Sequence, residues 1–140
     1  MYQKIIIAGN LGKDPEMRYA PNGDAVTSFS VATSRKYTDK GGNKVEETTW
    51  FRVSVWGKQA ETCNQYLKKG RPVLIEGRLN ADKATGGPKI FTRQDGTSGS
   101  SFEITAESVR FLGGQRDGEA AAPGAPVIHD APTDEENIPF

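Results

Sequence analysis

The sequence predicts an all-β barrel with one helix, followed by a disordered C-terminal tail. Five stretches rich in β-branched and aromatic residues are separated by turns that contain Gly, Pro and Asn. Another stretch has its apolar residues at helical spacing instead. The last 28 residues contain four Pro, four Gly, five Ala and neither Trp nor Tyr. They cannot bury enough apolar surface to offset the entropy lost on ordering, so we expect disorder from about residue 114 onward.

The predicted strands alternate apolar and polar residues to different degrees. The first contains a run of three Ile, the second has Phe29, Val31 and Thr33 at alternate positions, and the third alternates most sharply. Turn signals lie between strands, as in the Pro-Asn-Gly that precedes the second. The five strands cover residues 3–8, 25–34, 47–56, 72–79 and 101–111.

One helix is predicted between the third and fourth strands. Residues 59–68 place Ala60, Cys63 and Leu67 on one face, and Gly70 follows as a stop signal. Five short strands with a helix between strands 3 and 4 match the OB-fold. This fold is a five-stranded, partly open Greek-key barrel that binds oligonucleotides or oligosaccharides.

Charge is distributed unevenly, although Lys and Arg balance Asp and Glu over the whole chain. Residues 113–140 contain six acids and one base, which leaves residues 1–112 with 17 bases and 12 acids, a net charge of +5. A cationic body favours a polyanionic partner. The single Cys63 excludes an intrachain disulfide, and the early Ile run is too short for a signal-peptide core or a membrane span. We expect a cytoplasmic protein without a membrane partner.

The third strand carries the most informative side chains. Alternation puts Phe51, Val53 and Val55 on one face and Trp50, Arg52, Ser54 and Trp56 on the other. The first set is typical of a core, whereas an arginine between two tryptophans favours an exposed face. Bases of nucleic acids can stack on such rings, and Arg52 can pair with phosphate. Packing of both tryptophans as core, and a protein–protein interface, are the alternatives.

Further candidate nucleic-acid contacts are basic or aromatic residues outside that face. The loop that joins the second and third strands contains Arg35, Lys36 and Tyr37. Beyond the loop, the candidates are Lys58 and Lys69 near the helix, and Lys83 and Phe91 in the polar 81–101 region. For any single lysine the alternative is a solvated surface position, and for Phe91 it is a flexible hairpin tip.

No enzyme, metal site or cofactor site is predicted. Residues 9–14 have glycines and a lysine, but the glycines are too close for a phosphate loop and no Ser or Thr follows the lysine. The chain has a single His, His129, which cannot build a metal site alone. Cys63 has no His in the folded part with which to form a nucleophilic pair.

The end of the tail has a pattern of its own: three acids precede a short apolar segment that ends on an aromatic residue. Such a segment is typical of a peptide that recruits other proteins. We therefore divide the chain into a domain at 1–112, a Gly/Pro/Ala-rich linker at 113–133 and a tip at 134–140. The predicted partner-binding residues of the tip are Asp134, Glu135, Glu136, Ile138, Pro139 and Phe140.

The chain also resembles the bacterial-type single-stranded DNA-binding protein family, over roughly residues 2–112 and again at the tip. The motifs that carry this resemblance are Gly9-Asn10-Leu11-Gly12-Lys13-Asp14-Pro15-Glu16-Met17-Arg18-Tyr19, Pro21-Asn22-Gly23, Thr49-Trp50-Phe51-Arg52-Val53, Trp56-Gly57-Lys58, Tyr66-Leu67-Lys68-Lys69-Gly70 and Ile75-Glu76-Gly77-Arg78-Leu79.

The resemblance implies an OB-fold homotetramer that binds single-stranded DNA without sequence specificity. Trp50, Trp56 and Tyr37 fall on stacking positions of the family, and Arg52, Lys58 and Lys69 fall on basic contact positions. It further implies that the tip recruits proteins of DNA replication, recombination and repair, and that the protein is nucleoid-associated.

One departure from the family concerns a further stacking Trp after the fourth strand, because Ala84 stands near that position here and the 81–101 loop is long. Phe91 is our candidate to compensate. Two other functions stay open from the sequence. One is an RNA-binding OB protein or a specialised paralogue for DNA uptake or recombination, and the other is an interaction adaptor whose tryptophan face is an oligomer seam.

Overall fold

The structure, a computed structural model, describes residues 1–113. All of the predicted tip, and all of the predicted linker except Gly113, lie outside these residues. Seven strands and one helix follow one another within them: β1 (Ile5–Leu11), β2 (Glu16–Tyr19), β3 (Ala25–Thr38), β4 (Lys44–Trp56), α1 (Lys58–Tyr66), β5 (Pro72–Asn80), β6 (Lys89–Thr92) and β7 (Ser98–Phe111).

Five of the strands form a closed ring, which confirms the predicted OB-fold. Neighbours around the ring are β1, β5, β7, β4 and β3, and β3 pairs back onto β1. Only the β4–β7 pair is parallel within the ring. The helix α1 follows β4 and precedes β5, the third and fourth of the five ring strands along the chain.

The ring closes over a short contact between β1 and β3. Only Asn10 with Ala32 and Leu11 with Val31 are paired there, so the two backbones must approach closely. Gly9 permits this approach, because a Cβ at that position would collide with the carbonyl oxygen of Ala32.

The core fills the barrel with alternate residues of the ring strands. Val31, Val53, Ile75 and Ile104 are fully buried, and Val55 is nearly so. Full burial of such a side chain stabilises the fold by about 1.5–3 kcal/mol. The period-two alternation of the sequence therefore identified the inward face correctly.

The helix packs on the barrel through the predicted face of Ala60, Cys63 and Leu67, which are all buried. The buried hydroxyl of Thr27 donates a 2.6 Å hydrogen bond to the carbonyl oxygen of Ala60, and this bond ties α1 to β3. The helix ends at Leu67, whose backbone is extended, so Gly70 is not its cap; with a φ of 84° it lies in the turn that follows. Within residues 1–113 no helix has the length and apolarity needed to cross a membrane.

Three features of the fold were not predicted. β2 is a four-residue strand that pairs with β3, and β6 forms a hairpin with the start of β7 inside the polar 81–101 region. In addition, β3 and β4 run past the barrel as a ribbon, in which residues 35–38 pair with residues 44–47. These segments are held by backbone pairing and bury little apolar surface, so the apolar pattern does not reveal them.

Candidate nucleic-acid interface

The outer face of β4 is open to solvent as predicted. Trp50 and Trp56 are 53% and 48% exposed, so in this chain neither tryptophan is a core residue. Across the β3–β4 pair, Ala32 lies opposite Trp50 and Ser30 lies opposite Arg52. These small side chains leave open space around the indole of Trp50 and the guanidinium of Arg52.

A groove runs beside this face, between β4 and the β6–β7 hairpin. Its volume is about 810 Å³, and it brings together two sequence-predicted aromatic residues, Trp50 and Phe91, with Arg52. A space of this size with aromatic, cationic and hydroxyl groups on its walls suits a flat, anionic, hydrogen-bonding ligand. The groove is lined by Ser30, Thr48, Thr49, Trp50, Phe51, Arg52, Lys89, Ile90, Phe91, Ser100, Ser101, Phe102 and Glu103.

The indole of Trp50 lies directly on the backbone of Gly12. A Cβ built on Gly12 would stand 2.7 Å from Cη2 of Trp50 and even closer to Cζ3. Gly12 follows β1 and donates its backbone N–H to Ser30 on β3. The absence of a side chain at residue 12 therefore sets the orientation of this ring.

Phe91 sits on a second glycine, in the β6–β7 hairpin. Its cross-strand partner is Gly99, and a Cβ there would stand 2.6 Å from Cζ of Phe91. The Arg93 guanidinium carbon lies 5.6 Å from the centroid of the Phe91 ring, and Arg93 also donates to the Ser98 carbonyl. The ring remains 46% exposed. Within the 81–101 region, residues 89–101 thus form a hairpin that presents Phe91 to the groove.

Arg52 is the cation at the centre of the β4 face. It forms no ion pair with another side chain in residues 1–113, although β4–β7 pairing places it opposite Glu103. On its other side a smaller space of about 170 Å³ is shared with Lys13. Its guanidinium is therefore free to bind an anion from either side.

Tyr37 belongs to a separate cluster at the far end of the β3–β4 ribbon. Its hydroxyl donates a 2.8 Å hydrogen bond to the Glu47 carboxylate, and this bond raises the pKa of Tyr37. The guanidinium carbon of Arg35 lies 4.9 Å from the centroid of the ring. Strand alternation points Arg35 and Tyr37 to one face of the ribbon and Lys36 to the other, although Lys36 and Tyr37 both border a groove at the ribbon's edge.

The remaining predicted lysines lie away from the groove. Lys58 is the first residue of α1, two residues after Trp56. Lys69 follows the helix, and its backbone N–H donates to Asp14. Lys83 is exposed in the connection between β5 and β6. All three are solvent-accessible, and none of them lines the groove of Trp50 and Phe91.

Several residues that line these spaces are not among the predicted site residues. Lys89 and Ile90 precede Phe91 in the groove, Lys13 flanks Arg52, and Phe102 forms part of the groove floor. Phe102 is 45% exposed, and its ring centroid lies 5.9 Å from that of Phe51. A β6–β7 hairpin assignment would have placed Lys89 and Phe102 beside the β4 face.

The described part of the chain does not support metal binding or nucleophilic chemistry at Cys63. Residues 1–113 contain no cluster of three His, Cys, Asp or Glu side chains that could hold a metal ion. Cys63 is buried, and its burial raises the pKa of the thiol to about 11. A thiol with that pKa is protonated at neutral pH and is a poor nucleophile.

The fold and the site together define a class, an OB-fold barrel with an aromatic and basic groove on its outer surface. Comparison with family models gives the finer assignment. Residues 2–112 match the model of the single-strand binding protein family, and the chain belongs to this family.

Curated relatives agree with this assignment. The chain is 42% identical over 120 residues to proteins named single-stranded DNA-binding protein from two Neisseria meningitidis strains, of serogroups A and B. It is also 42% identical over 115 residues to a protein of the same name from Xylella fastidiosa. The matches cover 86% and 82% of this chain but 65% and 66% of those relatives, so the chain spans slightly less than two thirds of their length.

A solved structure supports the fold. The crystal structure of a deletion mutant of the single-stranded DNA-binding protein from Thermus aquaticus matches with a TM-score of 0.61 at 30% identity. The match covers 80% of this chain and 51% of that one.

Proposed function

We propose that this protein is a non-catalytic single-stranded DNA-binding protein that coats and protects single strands without sequence preference. The observation that carries the proposal is the groove in which Trp50, Arg52 and Phe91 face one open space. Family membership and the names of the relatives give it independent support.

The groove suggests how a strand is held. Bases stack on the exposed faces of Trp50, Phe91 and, further along β4, Trp56, because every base has a π-face. Phosphates pair with Arg52 and Lys89, whose charges line the same groove as the rings. Stacking does not distinguish the bases strongly, so the interaction is tolerant of sequence.

The outlying candidates extend this surface. We assign Lys58 to phosphate contacts near Trp56, Lys69 to contacts near Asp14, and Lys83 to contacts near the hairpin. Arg35, Lys36 and Tyr37 form a separate contact region on the β3–β4 ribbon. The exposed positions of these lysines are compatible with phosphate binding.

Replacement of both β4 tryptophans tests the stacking mechanism. The Trp50→Ala, Trp56→Ala variant should lose about 2–6 kcal/mol of affinity for oligo-dT, because two stacked bases per chain are released. The Trp50→Phe, Trp56→Phe variant is the matched control, since it retains π-faces at both positions and should lose much less. Unchanged oligo-dT affinity in the alanine variant would refute stacking on β4. Competition between DNA and RNA strands of the same sequence separates this function from RNA binding.

We further propose that the protein is a homotetramer. Several large apolar side chains are exposed on the barrel outside the groove, among them Tyr2 at 87%, Ile6 at 60% and Leu79 at 37%. Tyr2 and Leu79 border the same surface depression, and exposed apolar surface of this kind is typical of a protein–protein interface. Sedimentation equilibrium should give the mass of four chains, and a monomer at micromolar concentration would contradict the proposal.

The C-terminal tip, residues 134–140, is proposed to recruit proteins of DNA replication, recombination and repair. Its acids and its Ile-Pro-Phe end supply charge and an apolar anchor for a basic, hydrophobic pocket. Residues 113–140 carry a net charge of −5 against +5 on residues 1–112. We therefore propose that the tail also competes weakly with DNA for basic groups of the barrel, at a local concentration of the order of millimolar.

Deletion of residues 134–140 tests both parts of this proposal. The deletion should tighten binding to oligo-dT at low salt and abolish the capture of partner proteins. Weaker DNA binding after the deletion would refute competition. Undiminished partner capture would refute recruitment by the tip.

A further inference from the structure

The Arg35–Tyr37–Glu47 cluster contains an acid in a region where an anionic strand is proposed to bind. Glu47 lies directly opposite Arg35 in the β3–β4 ribbon and diagonally opposite Tyr37. Its carboxylate accepts the hydrogen bond of the Tyr37 hydroxyl at 2.8 Å. Glu47 forms no ion pair within residues 1–113, so Tyr37 is the partner that the described chain supplies.

The hydrogen bond restrains the position of the ring. Tyr37 is half-buried although most of its neighbours in the ribbon are exposed, and the Arg35 guanidinium carbon stands 4.9 Å from its centroid. Beside the ring is an open groove of about 500 Å³, whose lining includes Lys36 and Lys44. A ring held by its hydroxyl at one end and by a cation–π contact at its face has fewer rotamers to lose when a ligand orders it.

From these contacts we infer that Glu47 is a positioning residue that holds the Tyr37 ring ready to stack with a base of single-stranded DNA. The inference rests on the proposed function. It deepens that function by assigning a role to a carboxylate that charge alone would count as unfavourable, since a negative charge near phosphate repels it.

The two possible roles of the Glu47 carboxylate predict opposite changes in DNA affinity when the carboxylate is removed. If Glu47 acts only through its charge, Glu47→Ala should tighten DNA binding. If it positions Tyr37, the same change should weaken binding, because the freed ring must be ordered by the strand itself. A whole base stack corresponds to about a 5- to 150-fold change in affinity, so we expect a loss of about three- to tenfold when the stack survives in part.

A double-mutant cycle with Tyr37→Phe tests the coupling through the hydroxyl. Phenylalanine retains the ring but cannot donate to Glu47, so Glu47→Ala should cause no further loss in the Tyr37→Phe background. Glu47→Gln retains an acceptor oxygen and should restore most of the affinity. Glu46→Ala is the matched control, because it removes the same charge at the next residue, which the ribbon pairs with Lys36. The control should not weaken binding.

The experiment measures oligo-dT affinity for each full-length variant, with thermal unfolding to verify the fold. A spectroscopic titration of Tyr37, obtained as the difference from Tyr37→Phe, should show a lower pKa after Glu47→Ala. Equal or tighter binding by Glu47→Ala, or equal losses in both backgrounds, would overturn the inference while leaving the proposed function intact. If the unmutated protein failed to bind oligo-dT, the proposed function itself would fail.

Discussion

Substitution of Gly12 by alanine perturbs the proposed stacking surface without changing any aromatic or charged residue. The new Cβ would stand 2.7 Å from Cη2 of Trp50, whereas ordinary contact begins at 3.4 Å, so the ring must move by about 0.7 Å or more. Cη2 is at the far end of an exposed side chain, which makes the movement inexpensive for folding. We expect the free energy of unfolding to fall by less than about 1 kcal/mol.

Affinity for DNA should respond more strongly to the same change. A base stack is worth about 1–3 kcal/mol, and a tilted indole loses much of one stack, so we expect about a tenfold weaker affinity for oligo-dT. Fluorescence anisotropy of a labelled oligo-dT measures this loss. Gly87→Ala is the control, because its Cβ would meet only the Thr85 hydroxyl at an ordinary 3.6 Å. Unchanged affinity for Gly12→Ala, or an equal loss when Trp50 is already alanine, would refute the reasoning.

Three further predictions address the hairpin, the core and the thiol. Gly99→Ala should displace the Phe91 ring and weaken oligo-dT binding about as much as Phe91→Ala, and the two losses should not add; additive losses would contradict a shared mechanism. Thr27→Val should lower the free energy of unfolding in urea by about 1–2 kcal/mol, because the buried carbonyl of Ala60 loses its hydroxyl donor; no change would show that the bond contributes little. Burial raises the pKa of the Cys63 thiol to about 11. The folded state therefore keeps its full stability below the unfolded thiol pKa and loses stability as pH rises from that value toward 11. Labelling of Cys63 by a thiol reagent at pH 8 should be slow in the folded protein and fast in urea, and prompt labelling of the folded chain would contradict this.

The barrel could be predicted from the sequence because its strands each have one buried face. Val53 and Val55 alternate with Arg52 and Trp56, and this period-two pattern is dictated by burial on one side only. The helix was equally visible, since Ala60 lies with Cys63 and Leu67 on one buried stripe. Both patterns arise from the same core, which is why the order of the five ring strands was sufficient to indicate the fold.

The short strands and the ribbon could not be predicted in the same way. β2, β6 and the outer half of the β3–β4 hairpin are held by backbone hydrogen bonds between largely exposed residues. Their side chains carry no burial pattern, so the local sequence cannot separate them from loops.

Only part of the candidate site could be predicted, because some of its contacts join residues that are distant in sequence. Exposed Trp50 and Trp56 follow from alternation with the core residues of β4, and the structure confirms their exposure. The meeting of Phe91 with Trp50 in one groove depends on β6 pairing with β7 beside β4, a contact distant in sequence. The bond between Tyr37 and Glu47 likewise depends on the register of the β3–β4 ribbon, which the turn fixes.

Intrinsic tryptophan fluorescence during titration with poly-dT, at two salt concentrations, tests the central claim most directly. Both tryptophans of the chain, Trp50 and Trp56, lie on the proposed surface, so the signal reports only that face. We expect strong quenching on binding and an affinity that falls as salt rises, because stacking and phosphate neutralisation act together. Binding without quenching, or no binding at either salt concentration, would contradict it.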